Sequence, residues 1–200
     1  MEKIQIYNDE LSSKQLDHVV DTLKNGGVAI VPTDTLYAIV CDALNPKAIE
    51  KVCKLKGINP EKSHLSIICD GISMVSEFAK FDNSSYKLMK DNVPGPFTFL
   101  FKAASSLPRA FKGRKVVGVR IPACQSVKAI VSALGNPLLS TSIRYKDEDY
   151  GTNPELIAEE YENQVDIIVL GNDGQLTPSA IVDCTETAPS ILREGPVGIS

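Results

Sequence analysis

The run Val28-Ala-Ile-Val-Pro-Thr-Asp-Thr-Leu-Tyr37 constrains this chain more than any other segment. Apolar residues lead straight into a proline, two threonines and a carboxylate. A buried strand reads as such a continuous apolar run, and the polar residues after it are held by a fixed backbone where they can meet a ligand. The pattern recurs in Val117-Gly-Val-Arg120-Ile-Pro, Leu138-Leu-Ser-Thr-Ser142 and Ile191-Leu-Arg193-Glu-Gly. Strands that end in arginines or hydroxyls point to one anionic ligand gripped from several directions.

Two hundred residues allow a substantial core, and the absence of a long linker, repeat or low-complexity segment favours a single domain over 1–200. No apolar run approaches the roughly 20 residues that span a bilayer. The first residues lack the basic-then-apolar plan of a signal peptide, so a cytoplasmic protein is expected. Cysteines 41, 53, 69, 124 and 184 are too far apart for a metal knuckle, and their odd number argues against a disulfide framework. Four of them, Cys41, Cys53, Cys69 and Cys124, neighbour Val, Ile or Ala and read as small core residues. His18 and His64 are the only histidines, a thin basis for a thiol enzyme; His64 reads as a surface or packing residue.

The net charge of −4 hides an asymmetry. Residues 92–146 contain no Asp or Glu but nine basic residues, Lys102, Arg109, Lys112, Arg114, Lys115, Arg120, Lys128, Arg144 and Lys146. From 147 onward there are twelve acids and one base, Arg193. Either a positive surface for phosphates or a solvated, lysine-tipped loop accounts for the first stretch. Arg193 is the more pointed clue, because a buried guanidinium needs a carboxylate or phosphate to face.

Helical spacing and caps predict helices from Ser12 to Leu23, from Pro46 past Cys53, over Ser73–Phe78, Ser84–Lys90 and Gln125–Leu134, and from Asn153 to Tyr161. Strands are predicted at Val28–Val31, Leu65–Ile68, Phe97–Lys102, Val116–Ile121, Leu138–Thr141, Val165–Leu170, Ile181–Asp183 and Ile191–Arg193. The alternation implies an α/β fold with a mixed sheet and covering helices.

Each candidate site residue has a plain alternative. Thr33, Asp34, Thr35 and Tyr37 either hold the polar groups of a small substrate or close a turn. Lys56 either reaches a phosphate or complements a helix dipole. Arg120, flanked by Val119 and Ile121, is either an anion clamp or half of a structural ion pair. Ser140, Thr141 and Ser142 offer three consecutive hydroxyls at a strand end, suited to phosphate oxygens beside backbone N–H groups, or form a loop. Ser179 precedes a strand with less to distinguish it. Neither a Walker loop nor a GxGxxG is present.

Together the motifs resemble the YrdC-like family, which includes the threonylcarbamoyl-AMP synthases. The matching pieces are Pro32–Tyr37 with Cys41-Asp-Ala43, Lys56-Gly57, Pro94-Gly-Pro-Phe-Thr98, Gly118-Val-Arg-Ile-Pro122, Pro137–Ser142, Pro178-Ser179 and Ile191–Gly195. They run in the family's order over about residues 14–195, and the look is that of the YciO subgroup. The resemblance implies a twisted mixed sheet with flanking helices and a concave, positively charged face. It implies synthesis of threonylcarbamoyl-AMP and pyrophosphate from L-threonine, bicarbonate and ATP, with Mg²⁺ on the phosphates, in the service of tRNA adenosine-37 modification. Thr33, Thr35 and Tyr37 would line the threonine site. Lys56 and Arg120 would meet phosphate or carboxylate oxygens, Thr141 and Ser142 would sit near nucleotide and bicarbonate, and Ser179 and Arg193 would complete the ATP pocket.

Two positions depart from the family pattern. Its Lys-x-Arg reads Lys56-Gly-Ile58 here, and its Ser-Ala-Asn reads Ser142-Ile-Arg144. Losing a charge-assisted contact costs about 1.5–3 kcal/mol, and Lys54, Lys62 or Arg144 are the candidates to compensate. The pocket is therefore expected to survive more surely than full synthase activity. The rival expectation is a module that binds tRNA or double-stranded RNA by shape and phosphates, without synthase activity.

Overall fold

The computed structural model describes residues 1–59, 65–107 and 115–200. His64 and Lys62, and with them Arg109, Lys112 and Arg114 of the basic stretch, lie outside the described residues.

Local sequence sets the helix ends. Ser12 and Gln15 form a capping box that opens α1 (Ser13–Lys24), whose Val19, Val20 and Leu23 are buried. Asn45 caps α2 (Pro46–Lys56), and Gly57, at φ 61°, closes it in the left-handed conformation that glycine adopts without penalty. The remaining helices are α3 (Ile72–Phe78), α4 (Asn83–Asn92), α5 (Gln125–Leu134), α6 (Glu148–Thr152) and α7 (Pro154–Glu160).

The strands are β1 (Glu2–Gln5), β2 (Ala29–Val31), β3 (Ala38–Asp42), β4 (Ser66–Ile68), β5 (Ala79–Lys80) and β6 (Phe97–Ala103). They continue with β7 (Val116–Arg120), β8 (Leu138–Ser142), β9 (Ile167–Leu170), β10 (Ala180–Asp183) and β11 (Ser190–Arg193). One mixed sheet runs β1-β9-β2-β3-β8-β4-β7-β6-β10-β11, with β5 beside β6. The mixed α/β architecture expected from the alternation of elements is what the chain adopts.

Strands β1 and β3 are additions to the sequence expectation, as are short β5 and α6. The addition of β3 changes the local picture. The segment 32–37 is the connection between antiparallel β2 and β3, not a free strand end. Ala38–Asp42 is buried on both faces, so it shows no alternation to mark it as a strand.

Alternation along the strands sorts the core into two layers. One layer takes Val117 and Val119 of β7, Phe97, Phe99 and Phe101 of β6, Ile67, Leu139, Ala180 and Val182, packed with buried residues of α2, α3, α4 and α7. The other is built by α1 and α5 on β9, β2 and β3, and reaches Leu138 and Ile68. Those two helices cover only half of their face. Over the other half the sheet presents Ser140, Ser66, Gly118, Thr98 and Ile181, which face the same way as Arg120. All five cysteines are buried and unbonded to one another. Among the described residues no helix is long and apolar enough to cross a membrane, and no group of His, Cys, Asp and Glu could hold a metal ion.

Candidate functional site

Register explains how the uncovered half-face becomes a cavity. Ser66 of β4 pairs with Ser140 of β8 on one side and with Gly118 of β7 on the other. Thr98 of β6 pairs with Ile181 of β10, and Ile181 with Arg193 of β11. Ser66, Ser140, Thr98, Ile181 and Arg193 line a cavity of about 320 Å³ together with Ile68, Arg120, Thr141, Ser142 and Ser179. Gly118 makes the depth possible: a Cβ there would stand 2.6 Å from Ser66 Oγ and 3.3 Å from Thr98 Cγ2. No acidic residue is among the described residues that line the space.

Arg120 and Arg193, far apart in sequence, meet at this cavity. Arg120 ends β7 and is buried. Its Nη2 donates to Thr35 Oγ1 at 2.7 Å and to Thr33 Oγ1 at 3.2 Å, and it forms an ion pair with Asp34. The second Asp34 oxygen accepts from the Ala123 N–H at 2.9 Å. The β2–β3 connection is thus a clip of two hydroxyls and a carboxylate around one nitrogen of the guanidinium. Its buried Nε has no hydrogen-bond partner. Arg120 is thus half of an ion pair, one of the two readings of the sequence, and it also lines the cavity.

Arg193 departs from expectation, because it is exposed rather than buried. Strand β11 lies at the sheet margin, where one flank and both faces meet solvent. The guanidinium donates to the Ser179 carbonyl from Nε at 2.9 Å and from Nη2 at 2.7 Å. It faces no carboxylate within 4.0 Å among the described residues. Partial screening from water, and then the charge of Arg120, hold it below its ordinary pKa. Ser179 is buried and shares a hydrogen bond of 2.9 Å with Thr98.

Lys56, the last residue of α2, is also buried, and its ammonium donates to the Ser142 carbonyl. Burial, and then the charge of Arg144, lower its pKa from the ordinary 10.5 to about 8. Ser142 therefore joins the cavity to Lys56. Thr141 borders the cavity from a position whose alternation matches Leu139, on the opposite face from Ser140 and Ser142. Ile58 packs against the core, as an aliphatic residue in place of an arginine should. Arg144 is exposed.

Thr33, Thr35 and Tyr37 separate. Thr35 is buried against Arg120, and Thr33 touches Arg120 and also borders a second cavity of about 270 Å³ with Asp34, Asp9 and Asp173. Tyr37 is fully buried; its hydroxyl donates to the Asn172 carbonyl at 2.8 Å and accepts from the Gly171 N–H at 3.1 Å. Burial pushes its pKa up to about 12. Sequence reasoning missed Ser66 and Thr98 as lining residues, and Gly118 as the position whose missing side chain leaves Ser66 its room. The available signal was a lone hydroxyl or glycine on the alternate positions of otherwise apolar strands.

Fold and cavity together define an α/β protein whose half-covered mixed sheet presents two guanidinium groups and a row of hydroxyls. The family model described as telomere recombination, that of the Sua5, YciO and YrdC proteins, matches residues 21–195. The chain belongs to this family. It is 32% identical over 193 residues to the uncharacterized protein YciO of Escherichia coli K12, covering 95% of this chain and 93% of that one. The crystal structure of E. coli YciO superposes with a TM-score of 0.90 at 31% identity, over 99% of this chain and 98% of that one. The crystal structure of P. abyssi Sua5 complexed with L-threonine gives a TM-score of 0.88 at 23% identity, over 98% of this chain and 58% of that one, a likeness of fold.

Proposed function

We propose that the uncovered half-face binds ATP and that the protein is a threonylcarbamoyl-AMP synthase-like enzyme. The observation that carries this reading is the convergence of Arg120 and Arg193 on one acid-free, hydroxyl-lined cavity. The solved complex of a structural neighbour with L-threonine supports an amino acid as second ligand.

In this reaction the threonine amine adds to the bicarbonate carbon and water leaves, giving a carbamate. A carbamate oxygen then attacks the α-phosphorus of ATP, the bond to the β-phosphate oxygen breaks, and pyrophosphate departs. The chain's part is positioning and charge neutralisation. Arg120 turns its positive charge to the phosphates from the cavity wall while Asp34, Thr33 and Thr35 hold it still. Arg193, anchored on Ser179, closes the same space from β11. Lys56 and Ser142 bracket the β8 end, where the amino acid and bicarbonate would lie. The lining supplies no carboxylate for a metal among its described residues, so Mg²⁺ would arrive on the ATP phosphates as part of the substrate.

The test is incubation with labelled bicarbonate, L-threonine and ATP. Label in an adenylate, with stoichiometric pyrophosphate, supports the reading; no pyrophosphate and no adenylate with any amino acid removes it. A second reading, tRNA or duplex RNA binding by phosphate contacts, draws on Lys80 and Lys102. They stand directly opposite one another in β5 and β6 without a salt bridge among the described residues. RNA affinity that falls steeply with salt would favour it.

A further inference from the structure

Helix α5 begins without a cap of its own. Its N-cap residue, Cys124, bonds none of the free N–H groups of the first turn with its side chain. They are served from the start of the chain. The Asp9 carboxylate accepts from the Gln125 N–H, from the Ser126 N–H at 3.3 Å and from the buried Ser126 hydroxyl. The Cys124 thiol also donates to it, at 3.1 Å. Asp9 stands in a tight turn bridged by Tyr7 and Glu10, and both central residues, Asn8 at φ 53° and Asp9 at φ 57°, are left-handed. Such a turn ordinarily takes glycine at the second central position. An aspartate is costlier there, and it persists because its carboxylate is held by α5.

The residue before this cap is tied to the arginine of the cavity. The Ala123 N–H donates to one Asp34 oxygen at 2.9 Å, while the other Asp34 oxygen pairs with Arg120. Residues 123–126 are therefore shared between two carboxylates, and Asp9 and Asp34 border the same cavity of about 270 Å³. With one oxygen occupied by a backbone N–H, Asp34 holds Arg120 by Nη2 alone. Every hydrogen bond of this guanidinium among the described residues goes through that nitrogen. A carboxylate with both oxygens free takes an arginine by two nitrogens at once. We propose that Asp9 is a positioning residue for Arg120. By fixing the start of α5 it keeps the Ala123 N–H on Asp34, so that Asp34 does not close a two-pronged pair and draw the arginine's charge away from the cavity. This rests on the reading of the cavity as a nucleotide site, and it adds a residue that touches no ligand itself.

A double-mutant cycle of the full chain, with wild type, Asp9→Asn, Asp34→Asn and both together, tests it. Asparagine suits the left-handed turn and keeps the size of the side chain, so Asp9→Asn removes a charge and one acceptor and little else. A cap is worth too little for its loss to unfold a chain of this length. Two quantities are read: the side-chain Nε–H resonance of Arg120 by nuclear magnetic resonance without ligand, and ATP affinity by calorimetry. Asp9→Asn should move the resonance and weaken ATP binding about tenfold, the loss of one charge-assisted contact. In the Asp34→Asn background it should do neither, because no carboxylate remains to take the arginine by two nitrogens. A cap with a structural role alone would lower Tm in both backgrounds and leave resonance and affinity where they were, and that result would overturn the proposal. Equal effects in both backgrounds would overturn it too. A resonance that moves only where Asp34 is present, in a protein that binds no ATP, would support the positioning role and sink the nucleotide reading instead.

Discussion

Replacing Asp34 by Asn removes one charge from the ion pair at the centre of the site and leaves its size unchanged. The Arg120 and Asp34 side chains are 8% and 12% exposed, so the pair is nearly buried. Breaking a buried pair by removing one partner costs about 3–5 kcal/mol, because the remaining charge stays desolvated. Arg120 keeps its bonds to Thr33 and Thr35 and an edge on the cavity, which places Asp34→Asn at the lower end, about 3 kcal/mol. For a chain of this length that is a fall in Tm of about 6–12 °C. ATP should reverse it disproportionately. Freed of its carboxylate, Arg120 gives the phosphates another charge-assisted contact, about 1.5–3 kcal/mol or roughly 10- to 100-fold in affinity. Thermal melts of both proteins over a range of ATP concentrations read both quantities. A loss under about 1 kcal/mol, or ATP affinity that falls while the fold is intact by circular dichroism, would refute the reasoning.

Three further perturbations separate structural from ligand-facing roles. Tyr37→Phe removes two buried hydrogen bonds and should cost about 1–3 kcal/mol in chemical denaturation while leaving amino-acid affinity unchanged; lost affinity with full stability would put Tyr37 back in the substrate site. Gly118→Ala places a Cβ 2.6 Å from Ser66 Oγ, so calorimetry should show weakened ATP binding with little change in Tm, because the serine hydroxyl can swing into the cavity. Lys56 gives a pH dependence. The unfolded chain holds this proton to about 10.5 and the folded chain releases it near 8, so the unfolded state binds more protons between those values and stability rises with pH across the window. Denaturation of Lys56→Met should lack that rise, and an identical pH profile would disprove it.

Much of the fold was legible because its cues are local. The Ser12–Gln15 capping box and the apolar spacing of Val127, Ile130, Val131 and Leu134 each act within a turn or two of helix, and α1 and α5 form where they point. Strand β3 was not legible, since Ala38–Asp42 is buried on both faces and lacks the alternation that marks a half-exposed strand. Arg120 stood out as a guanidinium in an apolar run, but its pairing with Asp34 spans 86 residues and depends on β2, β3, β8, β4 and β7 lying side by side. Arg193 was anticipated at the site and misjudged in burial, because sequence shows the apolar character of Ile191 and Leu192 and not that β11 is a marginal strand. Ser66 and Thr98 matter through register alone, which no single segment encodes.

Calorimetric titration of ATP into the wild type and Arg193→Met tests the shared cavity most directly. Arg193 is exposed, so the variant should fold as the wild type does. If Arg120 and Arg193 hold one anionic ligand, ATP binds the wild type and the variant loses roughly 10- to 100-fold in affinity. Equal affinities would mean that the two arginines do not share a ligand.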